Sequence, residues 1–188
     1  MPNWCSNSIE IVGPRDKIRA LWEAAQQDEQ AGGGLLQAMH PMPKFETDGD
    51  DTMPNWWNWR VENWGTKWEI STEGLEYEQD EDGNFENETG QPYARITGWF
   101  DSAWAPPTGA CQAYGEANPD VRITLDYHEP GMCFVGRFLV EEGSADDEYY
   151  EYSDATSTTV RDMIGDDMDD MWNISEDMAQ WEEENDDA

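Results

Sequence analysis

His40 and His128 are the only two histidines in this sequence, and so the only side chains whose ordinary pKa lies near neutrality. Acid–base catalysis therefore has few places to start. None of Cys5, Cys111 and Cys133 has a histidine close by, and no Gly-x-Ser-x-Gly elbow occurs. Neither Cys-x-x-Cys nor His-x-x-x-His spacing is present, so no zinc site is expected. Ala31-Gly32-Gly33-Gly34 lacks the Lys-Ser/Thr pair that completes a phosphate-cradling loop. His128 stands beside Glu129, but neighbours on a strand point to opposite faces and do not form an acid/base pair. Glu78 to Gly83 resembles half of a calcium loop, with glycine in sixth place. The twelfth position is Thr89, where a bidentate Glu is required, so Asp82-Gly83 is read as a hairpin turn. No enzyme, metal or cofactor is expected.

Carboxylates are what the chain has in abundance. Its 188 residues carry 43 Asp and Glu against 10 Lys and Arg, a net charge of −33. From Glu141 to the C-terminus stand 19 acidic residues and one basic, Arg161. Such a charge repels nucleic acid and anionic membranes and attracts basic protein surfaces. The division suggests a body, residues 1–140, and an appendage, residues 141–188. Glu141 to Ser153 reads as an acidic linker. Beyond it Val160, Ile164, Met168, Met171, Ile174, Met178 and Trp181 recur at steps of three and four, one face of a helix. Thr156, Ser157 and Thr158 offer N-cap oxygens, and Asn173-Ile174-Ser175 is a point where the helix could break. Asp162, Asp166, Asp167, Asp169, Asp170, Glu176 and Asp177 fill the other faces and are the candidate partner-binding residues. The apolar stripe either packs on the body or faces a partner's groove.

The body supplies elements of both kinds. Ser6 to Val12 alternates as a strand, and Arg15 to Gln30 reads as a helix opened by Pro14. Leu35 to Phe45 reads as a proline-punctuated link, and Glu46 to Pro54 as an acidic loop. Trp56, Trp57, Trp59, Trp64 and Trp68 form an aromatic knot read mainly as core, since few bases accompany it to bind nucleic acid. Strands are expected at Trp68 to Ile70, Gly74 to Glu78, Ala94 to Asp101, Val121 to Tyr127 and Met132 to Val140, with a helix from Pro107 to Ala117. That order gives an α+β, ferredoxin-like sandwich: a mainly antiparallel sheet with helices on one face, plus an acidic C-terminal helical appendage. Eleven Trp, 7 Tyr and 5 Phe supply the buried area. No run approaches the roughly 20 apolar residues of a membrane span, and no secretory signal is seen, so a cytoplasmic location is expected.

Five short motifs stand in an order that resembles the YubB-like family. They are Trp4-Cys5-Ser6-Asn7, Pro41-Met42-Pro43, Trp64-Gly65-Thr66-Lys67-Trp68, Ala103-Trp104-Ala105-Pro106-Pro107 and Tyr127-His128-Glu129-Pro130-Gly131. The resemblance covers about residues 1–140 and leaves the acidic tail outside. It implies an Api-type ferredoxin-like fold and an origin on phages or conjugative plasmids, with no catalytic residue to carry over. The expected function is inhibition of a basic, nucleic-acid-handling host defence protein by a DNA-like negative surface, without direct nucleic-acid or membrane binding. The alternative is a non-inhibitory structural or assembly protein whose acidity serves solubility or high salt.

Overall fold

Cys5, Asn7, Ile9 and Ile11 turn to one side of strand β1 (Trp4–Pro14), and Trp4, Ser6, Ser8 and Glu10 to the other. This alternation divides the whole molecule. The computed structural model describes residues 3–27, 33–46, 49–50, 53–80 and 91–186. Pro14 sets the backbone for helix α1 (Arg15–Ala25), which buries Ile18, Leu21 and Ala25. Next come α2 (Leu35–Met39), a minimal hairpin β2 (Gly49–Asp50) and β3 (Met53–Pro54), and α3 (Asn55–Trp64). The chain continues through β4 (Leu75–Gln79), β5 (Tyr93–Ala103), α4 (Thr108–Ala117), β6 (Arg122–Glu129), β7 (Phe134–Glu141) and β8 (Ser144–Glu151). Three short helices close it: α5 (Val160–Ile164), α6 (Asp166–Trp172) and α7 (Ile174–Asp186).

The six-stranded sheet has the order β4-β5-β1-β6-β7-β8, and every pairing is antiparallel. The path from β1 through α1 to β4 skips the place of β5, and the path from β5 through α4 to β6 skips that of β1. These two interleaved split βαβ units are the ferredoxin-like arrangement. Strands β7 and β8 extend it as a meander.

Two apolar clusters lie on opposite faces. Ile9, Ile11, Ile96, Ile123, Leu125 and Tyr127 of the sheet pack with Ile18 and Leu21 of α1, Leu35 and Leu36 of α2, and Cys111 of α4. On β7, Phe134, Phe138 and Val140 join this core, while Val135 faces the other way. Val135 packs with Tyr152, Val160, Ile164, Met168 and Ile174. The C-terminal helices thus cover part of the sheet face that an antiparallel α+β fold often leaves to water. The rest of that face is polar, with Arg95 paired to Glu78 and Glu10, Arg122 to Glu10, and Arg137 to Asp126.

Several expectations are corrected. Residues 144–151 are strand β8 and not linker, because Glu142 and Gly143 at φ 51° and 75° make the tight turn that returns the chain along β7. Acids on both faces of β8 hide its alternation, and they blunt the exposed edge against stray pairing. Its inner contact is specific: the Tyr127 hydroxyl donates to Asp147 at 2.6 Å over Gly136, where a Cβ would lie 2.4 Å from that hydroxyl. The Leu35–Phe45 link begins with helix α2, whose first turn is capped by the Glu69 carboxylate accepting from the Leu36 and Gln37 amides at 2.8 and 2.9 Å. Trp68 to Ile70 is not a strand. The expected first helix ends at Ala25 and not at Gln30, with Gln26 as its C-cap, while Asp82-Gly83 and most of the calcium-like loop lie outside the described residues. Among those described, no helix is long and apolar enough to cross a membrane.

The second cluster makes a prediction. Ile174→Ala leaves a cavity under α7 and should destabilise the protein by about 2–5 kcal/mol in denaturant titration. Met163→Ala, on the exposed side of α5, should stay within about 0.5 kcal/mol of the parent.

Candidate functional site

The seven candidate carboxylates fall on three helices. Gly165 at φ 86° ends α5, and Asn173 at φ 54° ends α6, both in the left-handed region that stops a helix. Asp162, Asp167, Glu176 and Asp177 are exposed to solvent. Asp166 and Asp170 are exposed as well, but each accepts from the Arg161 guanidinium at 2.7 Å. Both carboxylates hold the Arg161 pKa above its ordinary value.

Asp169 corrects the expectation. Its side chain is buried and employed inside the molecule, accepting from Arg161 Nη1 at 3.0 Å, the Ser175 amide at 2.7 Å and the Ser175 hydroxyl at 2.6 Å. It joins α5, α6 and α7 and does not face a partner. Ser175, at the break expected in the stripe, is a donor to Asp169. Thr156, Ser157 and Thr158 give α5 no side-chain cap. Ser157 donates its amide and hydroxyl to Glu182, tying the start of this unit to α7.

An aromatic plate docks the unit on the sheet. His128 Nε2 lies 2.6 Å from the Tyr152 hydroxyl, and its ring centre is 5.6 Å from that of Trp172. Trp172 meets Trp99 of β5 edge-on at 5.3 Å. Burial pushes the His128 pKa down to about 4, against a smaller upward pull from Asp177. Cys5 and Cys111 are pushed up to about 12 by burial, which leaves both thiols protonated and poorly nucleophilic. Among the described residues, no group of three or more His, Cys, Asp or Glu is placed to hold a metal ion.

Much of the motif set converges at the end of the sheet where β1 begins and β5 finishes. Asn7, buried in β1, donates to the Cys5 and Phe100 carbonyls and the Ser102 hydroxyl. Thr66 accepts from the Ala103 amide and donates to its carbonyl. Gly65, at φ 88°, lets the backbone near Pro106 approach to 2.9 Å of where a Cβ would sit. Trp64, fully buried, donates to the His40 carbonyl, just before Pro41. Glu129 is buried and accepts from the Gly131 and Met132 amides. This framework carries an open pocket of about 290 Å³, lined by Trp4, Trp68, Asp101 and Ser102 among others. The Trp4 and Trp68 rings lie 5.9 Å apart. Reading the knot Trp56 to Trp68 as core missed this place, since Trp64 is buried while Trp68 remains open. The legible signal was the short motifs themselves.

A family model described as the ferredoxin-like domain in Api92-like proteins matches residues 67–186. The chain belongs to this family. The match runs from just before β4 into α7, so the acidic tail lies inside the Api92-like domain and not beyond it. Strand β1, inserted between β5 and β6, completes the sheet from outside the matched segment. The crystal structure of protein Api92 from Yersinia pseudotuberculosis is similar at 11% identity and a TM-score of 0.49, covering 81% of this chain and 99% of that one. No curated protein matches the chain.

Asp169→Ala removes a buried carboxylate, leaving two Ser175 donors of α7 without their acceptor and Arg161 without one of its partners, and should cost about 2–4 kcal/mol, against near neutrality for the exposed Asp162→Ala. For His128 the folded pKa, about 4, lies below the ordinary 6.5. The unfolded chain therefore binds its proton more readily, and the stability this group contributes is lost as pH falls through that window. Denaturation midpoints of the parent minus those of His128→Gln should decline from pH 7 to pH 4. A flat difference contradicts the assignment.

Proposed function

We propose that this protein binds a basic, nucleic-acid-handling protein of the cell in which it acts, and competes there with nucleic acid by presenting carboxylates in place of phosphates. One observation supports this reading above others: the most acidic part of the chain is folded, and it displays its charges from fixed backbone. Asp146 and Glu148 of β8, Asp162 of α5, Asp167 of α6, and Glu176 and Asp177 of α7 are all exposed on ordered elements. Fixed charge costs less ordering on binding than a mobile acidic tail. B-DNA carries a charge about every 1.7 Å of axis, and its binders draw much of their affinity from Lys and Arg contacts that rigid carboxylates can engage. The family resemblance implies carriage by a phage or plasmid, and on this reading the partner is part of the host's defence. The chain then acts as an inhibitor in the cytosol, without catalysis.

The test is competition. DNA binding and cleavage by restriction and nuclease–helicase complexes are measured with rising amounts of the chain at low and at moderate salt. Inhibition should fade as salt rises. It should weaken about tenfold or more, mainly through slower association, in a variant carrying Asp162→Asn, Asp167→Asn, Glu176→Gln and Asp177→Asn. Full activity of these complexes in excess chain refutes the proposal and leaves the structural or assembly reading.

A further inference from the structure

The pocket over the paired ends of β1 and β5 is lined by both aromatic and carboxylate side chains. Trp4 and Trp68 line it side by side, their ring centres 5.9 Å apart and their planes tilted by 44°. Both are open to solvent, Trp4 at 49% of its surface and Trp68 at 36%. Two carboxylates reach the pocket, and they differ. Glu69 is committed inward, to the amides of Leu36, Gln37 and Ile70. Asp101 is exposed and held by a single side-chain contact, the Ser6 hydroxyl at 3.0 Å. Its remaining oxygen is available to a ligand.

Strand register places Asp101 on the sheet face shared with Ser6 and His128, and Trp99 on the same face beside Ser8. The pocket therefore lies along the face on which α5, α6 and α7 dock, and Trp99, 51% exposed, stands between them. Beyond the rim, Trp104 adopts φ 72°, strained for a bulky side chain, with its amide donating to the Asn3 carbonyl at 3.0 Å. That backbone keeps Trp104 47% exposed. Four tryptophans left open on one end of a small protein amount to an interface anchor.

We propose that this pocket receives an arginine or lysine side chain presented by a partner protein. The exposed Trp4 indole attracts a cation through its quadrupole, and the Asp101 carboxylate in the same lining pairs with its N–H groups. Trp68 already carries such a cation, Lys67 Nζ at 4.8 Å from its ring and 4.6 Å from that of Trp57, which leaves Trp4 as the main aromatic surface for an incoming one. The net charge of −33 draws cations toward the site and disfavours a phosphate-bearing ligand. The aromatic lining gives the partner a point of register that diffuse attraction to the acidic helices does not. The pocket stands on its own observations and does not depend on the partner being a nucleic-acid-binding protein.

The test uses the full chain and two small probes, Nα-acetyl-arginine methylamide and its uncharged citrulline counterpart, with indole N–H signals and tryptophan fluorescence as readouts. The arginine probe should saturate and shift the Trp4 and Trp68 signals, and the citrulline probe should bind about tenfold more weakly or less. Asp101→Asn, on an exposed side chain, and Trp4→Ala should each weaken the arginine probe severalfold. The four-site tail variant should leave it unchanged, which separates this pocket from the acidic surface. Equal binding of the two probes overturns the proposal. So does arginine binding that survives both pocket substitutions and fades in the tail variant, or a neutral methyl glycoside that saturates the same indole signals.

Discussion

Self-repulsion is the constraint this molecule is built against. With 43 acidic and 10 basic residues, every step toward compactness brings like charges closer. The described ion pairs do not remove that burden, since they are mostly solvent-exposed and such pairs contribute little. Cohesion comes from apolar burial on both faces of one sheet. The main core sits under α1, α2 and α4, and a second, smaller core sits under α5, α6 and α7. The few bases are placed where they serve position more than sum. Arg161, the single base after Glu141, gathers Asp166, Asp169 and Asp170, and Asp169 in turn holds the start of α7. One cation and one buried carboxylate thereby give three short acidic helices a fixed arrangement.

That arrangement links fold to proposed action. A helix of five or seven residues has little stability of its own, so α5 and α6 persist because Val160, Ile164 and Met168 are buried against Val135 and Tyr152. Their acids are carried outward as a consequence. Beside them, on the same sheet face, the Trp4–Trp68 pocket and exposed Trp99 supply apolar surface with an open carboxylate. A partner that brought basic residues to this face would meet ordered charge and aromatic anchors together.

The ferredoxin-like core was legible because its strands alternate and its helix starts are marked. Ile123, Leu125 and Tyr127 announce their buried side, and Pro14 and Pro107 mark where α1 and α4 begin. Strand β8 was not legible, because its acids occupy both faces and Glu142-Gly143 is a weak turn signal. Of the stripe from Val160 to Trp181, Val160, Ile164, Met168 and Ile174 are buried while Trp181 stays 64% exposed, and periodicity gives no means of telling which carboxylate turns inward. Asp169 does so because Arg161 and Ser175 lie within reach, a relation that exists only after the two bends at Gly165 and Asn173. The pocket was hidden for a similar reason. Trp4, Trp68 and Asp101 come from three separate segments, and only the order β4-β5-β1-β6 brings them to one end.

The acidic C-terminal unit is folded onto the sheet and not merely attached to it. Amide hydrogen exchange on the full chain at low salt, where repulsion is least screened, tests this most directly. The amides of α6, the first turn of α7 and β8 should be protected nearly as strongly as those of β1 and β6. Rapid exchange from residue 144 onward, with β1 and β6 still protected, would mean an undocked acidic tail and would contradict this docking.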